Sequence, residues 1–225
     1  MNNQLHNSVS TLTAIVFDCY ETLFPNSPRQ WTETFEKICT DQKLDVDGGL
    51  LWLEWRARDV RFRQTRVNLE VPEQSPRFKT YYQAWTESFR ETFQALRLKG
   101  EPEEAAAQCV EAMGWRQPFD DTVCTLDRLQ GQWLLGILSN ADDAYLDPLL
   151  SRHPLPVKAV LSSEQARAYK PHPAPFKLTL ALLGTEPKET MYVGDSPLDD
   201  IYGAQCLGMK TVWINRNGDP WKGAS

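Results

Sequence analysis

Four short segments hold most of the residues that could do chemistry. The apolar run Leu12–Phe17 ends in Asp18-Cys19-Tyr20-Glu21-Thr22, and the run Trp133–Leu138 ends in Ser139-Asn140. Lys170 follows the run Val157–Leu161 and precedes the stiff sequence Pro171-His172-Pro173. The run Met191–Val193 ends in Gly194-Asp195-Ser196-Pro197-Leu198-Asp199-Asp200. A carboxylate at the end of a buried strand is a candidate nucleophile, although Asp18 alone could equally cap a turn. Ser139 and Asn140 present a hydroxyl and an amide, both able to hold an anion, and Lys170 adds a positive charge. Asp195, Asp199 and Asp200 would repel one another without a cation, and their hard oxygens suit Mg²⁺.

Those residues act together only if a scaffold brings the run ends to one edge. The runs, with Thr211–Ile214 as a fifth, are short and almost free of polar side chains. Such runs suit strands buried on both faces of a parallel sheet. Amphipathic segments of helical length lie between the later ones, at Asp120–Leu129, Pro173–Leu183 and Asp199–Leu207. The expected fold class is therefore α/β: a three-layer, doubly wound parallel sheet near five strands, whose carboxyl edge gathers the site.

Residues 25–117 have another texture. They hold no convincing strand, but helical patterns at Arg29–Asp41, Gly49–Asn68, Arg77–Leu98 and Glu103–Met113, with Pro72, Pro76 and Gly100-Glu101-Pro102 between them. The expected domains are a core of residues 1–24 and 118–225 and an all-helical insertion, 25–117, able to act as a lid. Rings such as Trp31, Trp55, Trp85 and Phe89 read as the core of that insertion.

Composition narrows the function classes. The chain has 225 residues, 41% of them hydrophobic, with a net charge of −6 and so no basic excess to drive nucleic-acid binding. The longest apolar stretch falls far short of the roughly 18 residues of a membrane span. The first residues, Met1-Asn2-Asn3-Gln4, carry no secretory pattern. Five scattered cysteines without a Cys-x-x-Cys read as free thiols. The expectation is a cytoplasmic protein, monomer or homodimer, with a small anionic substrate and neither nucleic-acid nor membrane partner.

The four run-end segments, in this order, resemble the motifs of the haloacid dehalogenase superfamily of hydrolases and phosphotransferases. The resemblance spans nearly the whole chain, including a helical cap inserted after the first strand. Asp18 with Thr22 matches the nucleophile motif, Ser139 the second, Lys170 the third, and Asp195 with Asp199 and Asp200 the fourth. It implies that Asp18 forms a covalent aspartyl intermediate that water hydrolyses, with Ser139 and Lys170 as catalytic partners and Thr22, Asn140 and Arg56 on the substrate. It implies Mg²⁺ held by Asp18, the backbone carbonyl of Tyr20 and Asp195, with Asp199 or Asp200 steadying waters or Lys170.

Tyr20 departs from the phosphatase pattern, which has an aspartate there as acid for the leaving alkoxide. A phenol is a poor proton relay near neutrality. The 2-haloacid dehalogenases similarly read Asp-x-Tyr-x-Thr at this motif, and their halide leaves without a proton. Trp213-Ile214-Asn215-Arg216 is also similar to them, and Arg56 lies where they place a halide-binding arginine. They have serine and asparagine where this chain has Asp195 and Pro197, and tyrosine where it has Phe176. One changed position against at least two favours a Mg²⁺-dependent phosphatase of a small phosphorylated metabolite as the expected function. A 2-haloacid dehalogenase is the first alternative, and a non-catalytic binding member of the family the second.

Overall fold

The computed structural model describes residues 12–221. Its strands are β1 Ala14–Phe17, β2 Leu134–Ser139, β3 Ala159–Ser162, β4 Thr190–Gly194 and β5 Lys210–Trp213. The helices, in chain order, are α1 Pro28–Gln42, α2 Gly48–Thr65, α3 Tyr81–Leu96, α4 Pro102–Met113, α5 Thr122–Leu129, α6 Asp143–Arg152, α7 Ser163–Ala166, α8 Pro173–Leu183 and α9 Gly203–Gln205. The chain forms two compact units.

The first unit comprises the described residues up to Pro25, residues 117–140 and those from His153 onward. Its five strands are all parallel, in the order β3-β2-β1-β4-β5. All four residues of β1 are buried, which is why this segment reads as unbroken apolar sequence. The connections turn one way from β1 to β2 and β3, then cross back to β4 and β5. β1 therefore stands at the reversal point, and its carboxyl end faces the crevice where such sheets bind ligands. Register sets Phe17 opposite Ile137 on one side and Val193 on the other. The residues that follow those positions thus emerge at one edge.

One face of the sheet is sealed by α8. Phe176, Leu180 and Leu183 pack with Val16, Leu138, Leu161 and Tyr192 in one cluster. Each such fully buried side chain contributes roughly 1.5–3 kcal/mol over leaving it in water. The helix starts where His172 caps it, its Nδ1 accepting from the Ala174 amide at 3.1 Å, and Pro173 supplies a preset first-turn φ. It ends at Gly184, whose φ of 69° is the left-handed stop that glycine takes without strain.

The second unit, residues 26–116 and 141–152, is entirely helical. Ser27 with Gln30 starts α1, and Thr80 with Gln83 starts α3, each pair satisfying two otherwise unpartnered backbone N–H groups. The rings of Trp31, Phe35, Trp55, Trp85 and Phe89 interlock with centroids 5.2–6.3 Å apart, the aromatic core that the sequence suggests. Asp59 is buried among them and accepts from Trp85 Nε1 at 3.1 Å and from Arg63 Nε at 2.6 Å. The other face of α2 leaves Leu50, Leu53 and Val60 exposed.

The expected boundaries place residues 141–152 with the sheet, whereas the structure packs them with the helices. The Asp142 carboxylate accepts from the Tyr81 and Tyr82 amides, both at 2.7 Å, and so caps α3. Tyr145 stacks on Trp85 with centroids 5.8 Å apart. These are tertiary contacts of residues that look like any other short helix in the sequence. The expected helix Asp199–Leu207 is also different: Pro197–Tyr202 forms a π-helical turn, and only Gly203–Gln205 is α-helical. No helix among the described residues is long and apolar enough to cross a membrane.

Candidate active site

Four strand ends converge on the Lys170 ammonium. Lys170 is almost completely buried, and its Nζ lies 2.7 Å from Asp18 Oδ1, 2.7 Å from Asp200 Oδ1, 2.8 Å from the Tyr192 hydroxyl and 3.1 Å from the Leu138 carbonyl. Burial opposes the charge of this amine, but Asp18 and Asp200 outweigh it and hold the pKa well above its ordinary value. The amine is thus a fixed ammonium that neutralises two carboxylates.

Asp18 is buried at the end of β1, its amide donating to the Val193 carbonyl at 2.8 Å. Burial raises its pKa, Lys170 pulls it back and Asp200 raises it again, leaving it at about 7. Asp195, half-buried after β4, is pushed up to about 9 by burial and by the charges of Asp18 and Asp200. Its carbonyl accepts from Trp213 Nε1 at 2.7 Å, which ties the end of β4 to β5.

Asp200 reaches Lys170 because the π-helical turn folds it back. Its Oδ2 accepts from the Ser196 amide at 2.9 Å. A Cβ at position 194 would come within 2.4 Å of the Asp200 carboxyl group, so Gly194 is required for that approach. Asp200, rather than Asp199, is therefore the partner of Lys170. Asp199 instead accepts from the Asn140 amide at 3.2 Å.

Asn140, expected on the substrate, is engaged within the protein. Its Oδ1 accepts from the Lys170 amide at 2.8 Å, and its Nδ2 donates to the Lys170 carbonyl at 3.2 Å. It therefore sets the main chain from which Lys170 projects, just before the cis Lys170–Pro171 peptide. Ser139 is buried at the end of β2, in register with Ser162 of β3. Thr22 is buried too, and among the described residues its Oγ1 has no hydrogen-bond partner. A buried hydroxyl left in that state suits a ligand oxygen.

The carboxylates that come together are Asp18, Asp195 and Asp200, with one oxygen of each lying within 4.8 Å of the others. The expected metal set had the Tyr20 carbonyl in place of Asp200. Tyr20 is half-buried in the turn, bridged to Phe24. Arg56 belongs to the helical unit, exposed on α2, with its guanidinium 5.3 Å from the Trp52 ring centroid. Cys19 is buried, and burial with the neighbouring Asp18 charge drives its thiol well above the usual range, so it is a packed and inert group.

Tyr192 is the residue that sequence reasoning missed. Inside an apolar strand it reads as core, and its ring does pack on Phe176, with centroids 5.2 Å apart. Its hydroxyl, however, also donates to the Leu138 carbonyl at 3.0 Å and accepts from Lys170. Position 176 carries no hydroxyl, and the phenol that reaches Lys170 comes from β4. The signal available was a phenol hydroxyl between Met191 and Val193, inside a strand leading to an acidic motif.

The chain thus combines a doubly wound sheet, with a buried aspartate–lysine pair at its reversal point, and a separate helical unit. The chain belongs to the haloacid dehalogenase-like hydrolase family, whose model matches residues 12–208. It is 25% identical to (S)-2-haloacid dehalogenase 4A of Burkholderia cepacia, over 94% of this chain and 87% of that one. The solved L-2-haloacid dehalogenase of Xanthobacter autotrophicus superposes with a TM-score of 0.73 at 24% identity, covering 92% of this chain and 79% of that one. A glyceraldehyde 3-phosphate phosphatase of Pyrococcus furiosus is 46% identical, but over only 24% of this chain and 23% of its own. Likeness to dehalogenases runs the length of the chain and likeness to that phosphatase covers one short segment. This overturns the phosphatase expectation.

Replacing Lys170 by Met removes the charge that reconciles Asp18 with Asp200. The expected loss of stability at pH 8 is about 3–5 kcal/mol, as for other broken buried ion pairs. The loss should shrink towards pH 5, below the raised pKa of Asp18 of about 7, where that carboxylate takes up a proton and the pair weakens. Urea denaturation at the two pH values measures both, and a loss below about 1 kcal/mol at pH 8 would contradict the assignment.

Proposed function

We propose that this protein is a 2-haloacid dehalogenase, replacing the halogen of a short 2-haloacid by hydroxyl. The observation that carries the reading is Tyr20, two residues beyond a buried, lysine-paired Asp18. An Asp18 oxygen attacks the carbon bearing the halogen. A carbon–oxygen bond forms as the carbon–halogen bond breaks, and the halide leaves with the bonding pair. No proton is needed at that step, so a phenol at position 20 costs nothing. Water then attacks the ester carbonyl of Asp18, giving the 2-hydroxy acid, one proton and the regenerated carboxylate. The full-length likeness to dehalogenases supports this reading.

Each residue has a place in it. Lys170 holds Asp18 in position and steadies its charge. Thr22 Oγ1 and Ser139 offer hydroxyls to the substrate carboxylate. Asn140 acts through Lys170 and Asp199. Asp195 would repel an anionic substrate if charged, but with its pKa near 9 it carries a proton at neutral pH and can donate a hydrogen bond as a serine would.

Purified protein is expected to release halide from 2-chloropropionate, and Asp18→Asn to lose that activity by at least about 10³-fold. Turnover in ¹⁸O-water should place the label in the Asp18 carboxyl group, read by mass spectrometry of its peptide. Halide release without label in Asp18 would eliminate the covalent route.

The pH dependence follows from the two raised carboxylates. Asp18 must be ionised to attack, so activity in EDTA should fall as the pH drops through about 7. Ionising Asp195 adds a negative charge beside the substrate, so activity should fall again as the pH rises through about 9. The two limbs belong to the coupled cluster as a whole. An acid limb near 4 instead would place Asp18 in water rather than in this site.

The same carboxylates could hold Mg²⁺ at Asp18, Asp195 and Asp200, since their hard oxygens suit it. A bound ion would supply the neutralisation that the Asp195 proton supplies otherwise. Calorimetric titration of EDTA-treated protein with Mg²⁺ should then show one saturable site, absent in Asp195→Asn. A flat titration of the wild type would remove the ion from the account.

A further inference from the structure

Arg216 lies just beyond β5, outside every residue given a role so far, yet it is engaged on three sides. Its Nε and Nη2 donate to the Thr22 carbonyl at 3.2 and 2.9 Å. Its Nη1 and Nη2 fork onto the Asp121 carboxylate at 3.2 and 2.9 Å. The face of the guanidinium lies 3.8 Å from the centroid of the Phe119 ring. The next residue of the turn is gripped from the same segment. The Leu23 carbonyl accepts from the Phe119 amide at 2.9 Å and from Thr122 Oγ1 at 2.8 Å.

That grip falls on a strained piece of chain. Glu21 has φ of 65°, a left-handed conformation that a residue with a Cβ rarely takes. Such conformations persist only where the surroundings over-determine them. The turn itself is tied by Leu23 and Phe24 amides to the Cys19 carbonyl at 2.8 and 2.9 Å, and by the Glu21 amide to the Phe24 carbonyl at 2.6 Å. It joins Asp18 to Thr22, whose buried Oγ1 has no hydrogen-bond partner among the described residues.

We propose that Arg216 is a positioning residue: it clamps the Thr22 carbonyl so that the strained turn presents the Thr22 hydroxyl to the substrate carboxylate. The part concerning the substrate rests on the dehalogenase reading above, whereas the clamp does not. A planar fork and a stacking face are both used, so the role is specific to arginine and not to positive charge.

Two measurements on the full chain test it. The first needs no substrate. Amide exchange of Glu21, Leu23 and Phe24, followed by NMR, should be about tenfold faster in Arg216→Gln, with the amides of β2 and β4 unchanged. Unchanged exchange in the turn overturns the clamp, and faster exchange throughout the sheet does so too, since it would mean a general loss of stability. The second is a double-mutant cycle on halide release with Thr22→Ala. Arg216→Gln should lower kcat/KM about tenfold in the wild-type background, mainly through KM, and less than about twofold where Thr22 is already alanine. Equal losses in both backgrounds overturn the link to Thr22. Arg216→Lys should behave like Arg216→Gln; full activity in the lysine variant would reduce the role to charge alone and overturn it. Asp121→Asn, which weakens the fork without touching the turn, should shift exchange in the same direction, and serves if Arg216→Gln does not fold. Wild-type protein that releases no halide sinks the dehalogenase reading alone, and the exchange experiment still decides the clamp.

Discussion

A buried ammonium between two carboxylates is the constraint around which the sheet unit is organised. Lys170 comes from the loop before α8, Asp200 from the π-helical turn after β4 and Asp18 from the end of β1, so their meeting fixes three crossovers against one another. Such an arrangement is weak as a source of stability, because each charge loses its water. Its value is geometric. Every hydrogen-bonding direction of the ammonium is used, so Asp18 cannot turn away without leaving a buried charge unpaired. The supporting contacts serve the same end: Asn140 holds the Lys170 main chain, the Ser196 amide holds Asp200, and the bare Cα of Gly194 makes room for it.

Much of this unit was legible because its physics is local. Strands buried on both faces need continuous apolar runs, and all five runs correspond to strands, with ends shifted by a residue or two. The reactive residues were legible for the same reason, since chemistry at a parallel sheet collects just past the last apolar residue of each strand. What the sequence could not convey is which polar groups satisfy each other. Asn140 presents an amide that could bind a ligand as well as a backbone, and only the fold brings the Lys170 main chain within 2.8 Å of it. Asp199 and Asp200 are neighbours with the same side chain, and the choice between them depends on a π-helical turn that no simple periodicity signals.

The helical unit shows the same division. Its aromatic core follows from spacing, but the membership of residues 141–152 depends on Asp142 finding two backbone amides at the start of α3. The arginines of α2 likewise separate only in three dimensions. Arg63 pairs with a buried Asp59, Arg58 lies among Glu54 and Glu91, and Arg56 covers Trp52. Three arginines of one helix thus occupy three different environments.

The functional expectation failed for a reason that can be stated physically. Counting changed positions, one against a phosphatase and two or more against a dehalogenase, treats all positions as equal. They differ in whether the protein can compensate. An alkoxide leaving group must receive a proton, and a phenol at position 20 cannot readily supply it near neutrality. A carboxylate at position 195 is a different case, because a proton or a cation can neutralise it without altering the chain. The environment already pushes that way, with burial, Asp18 and Asp200 raising Asp195 to about 9. At Phe176 the ring packs on Tyr192, whose own hydroxyl reaches Lys170. The change at Tyr20 is of another kind, since under the proposed dehalogenation the departing halide needs no proton at all.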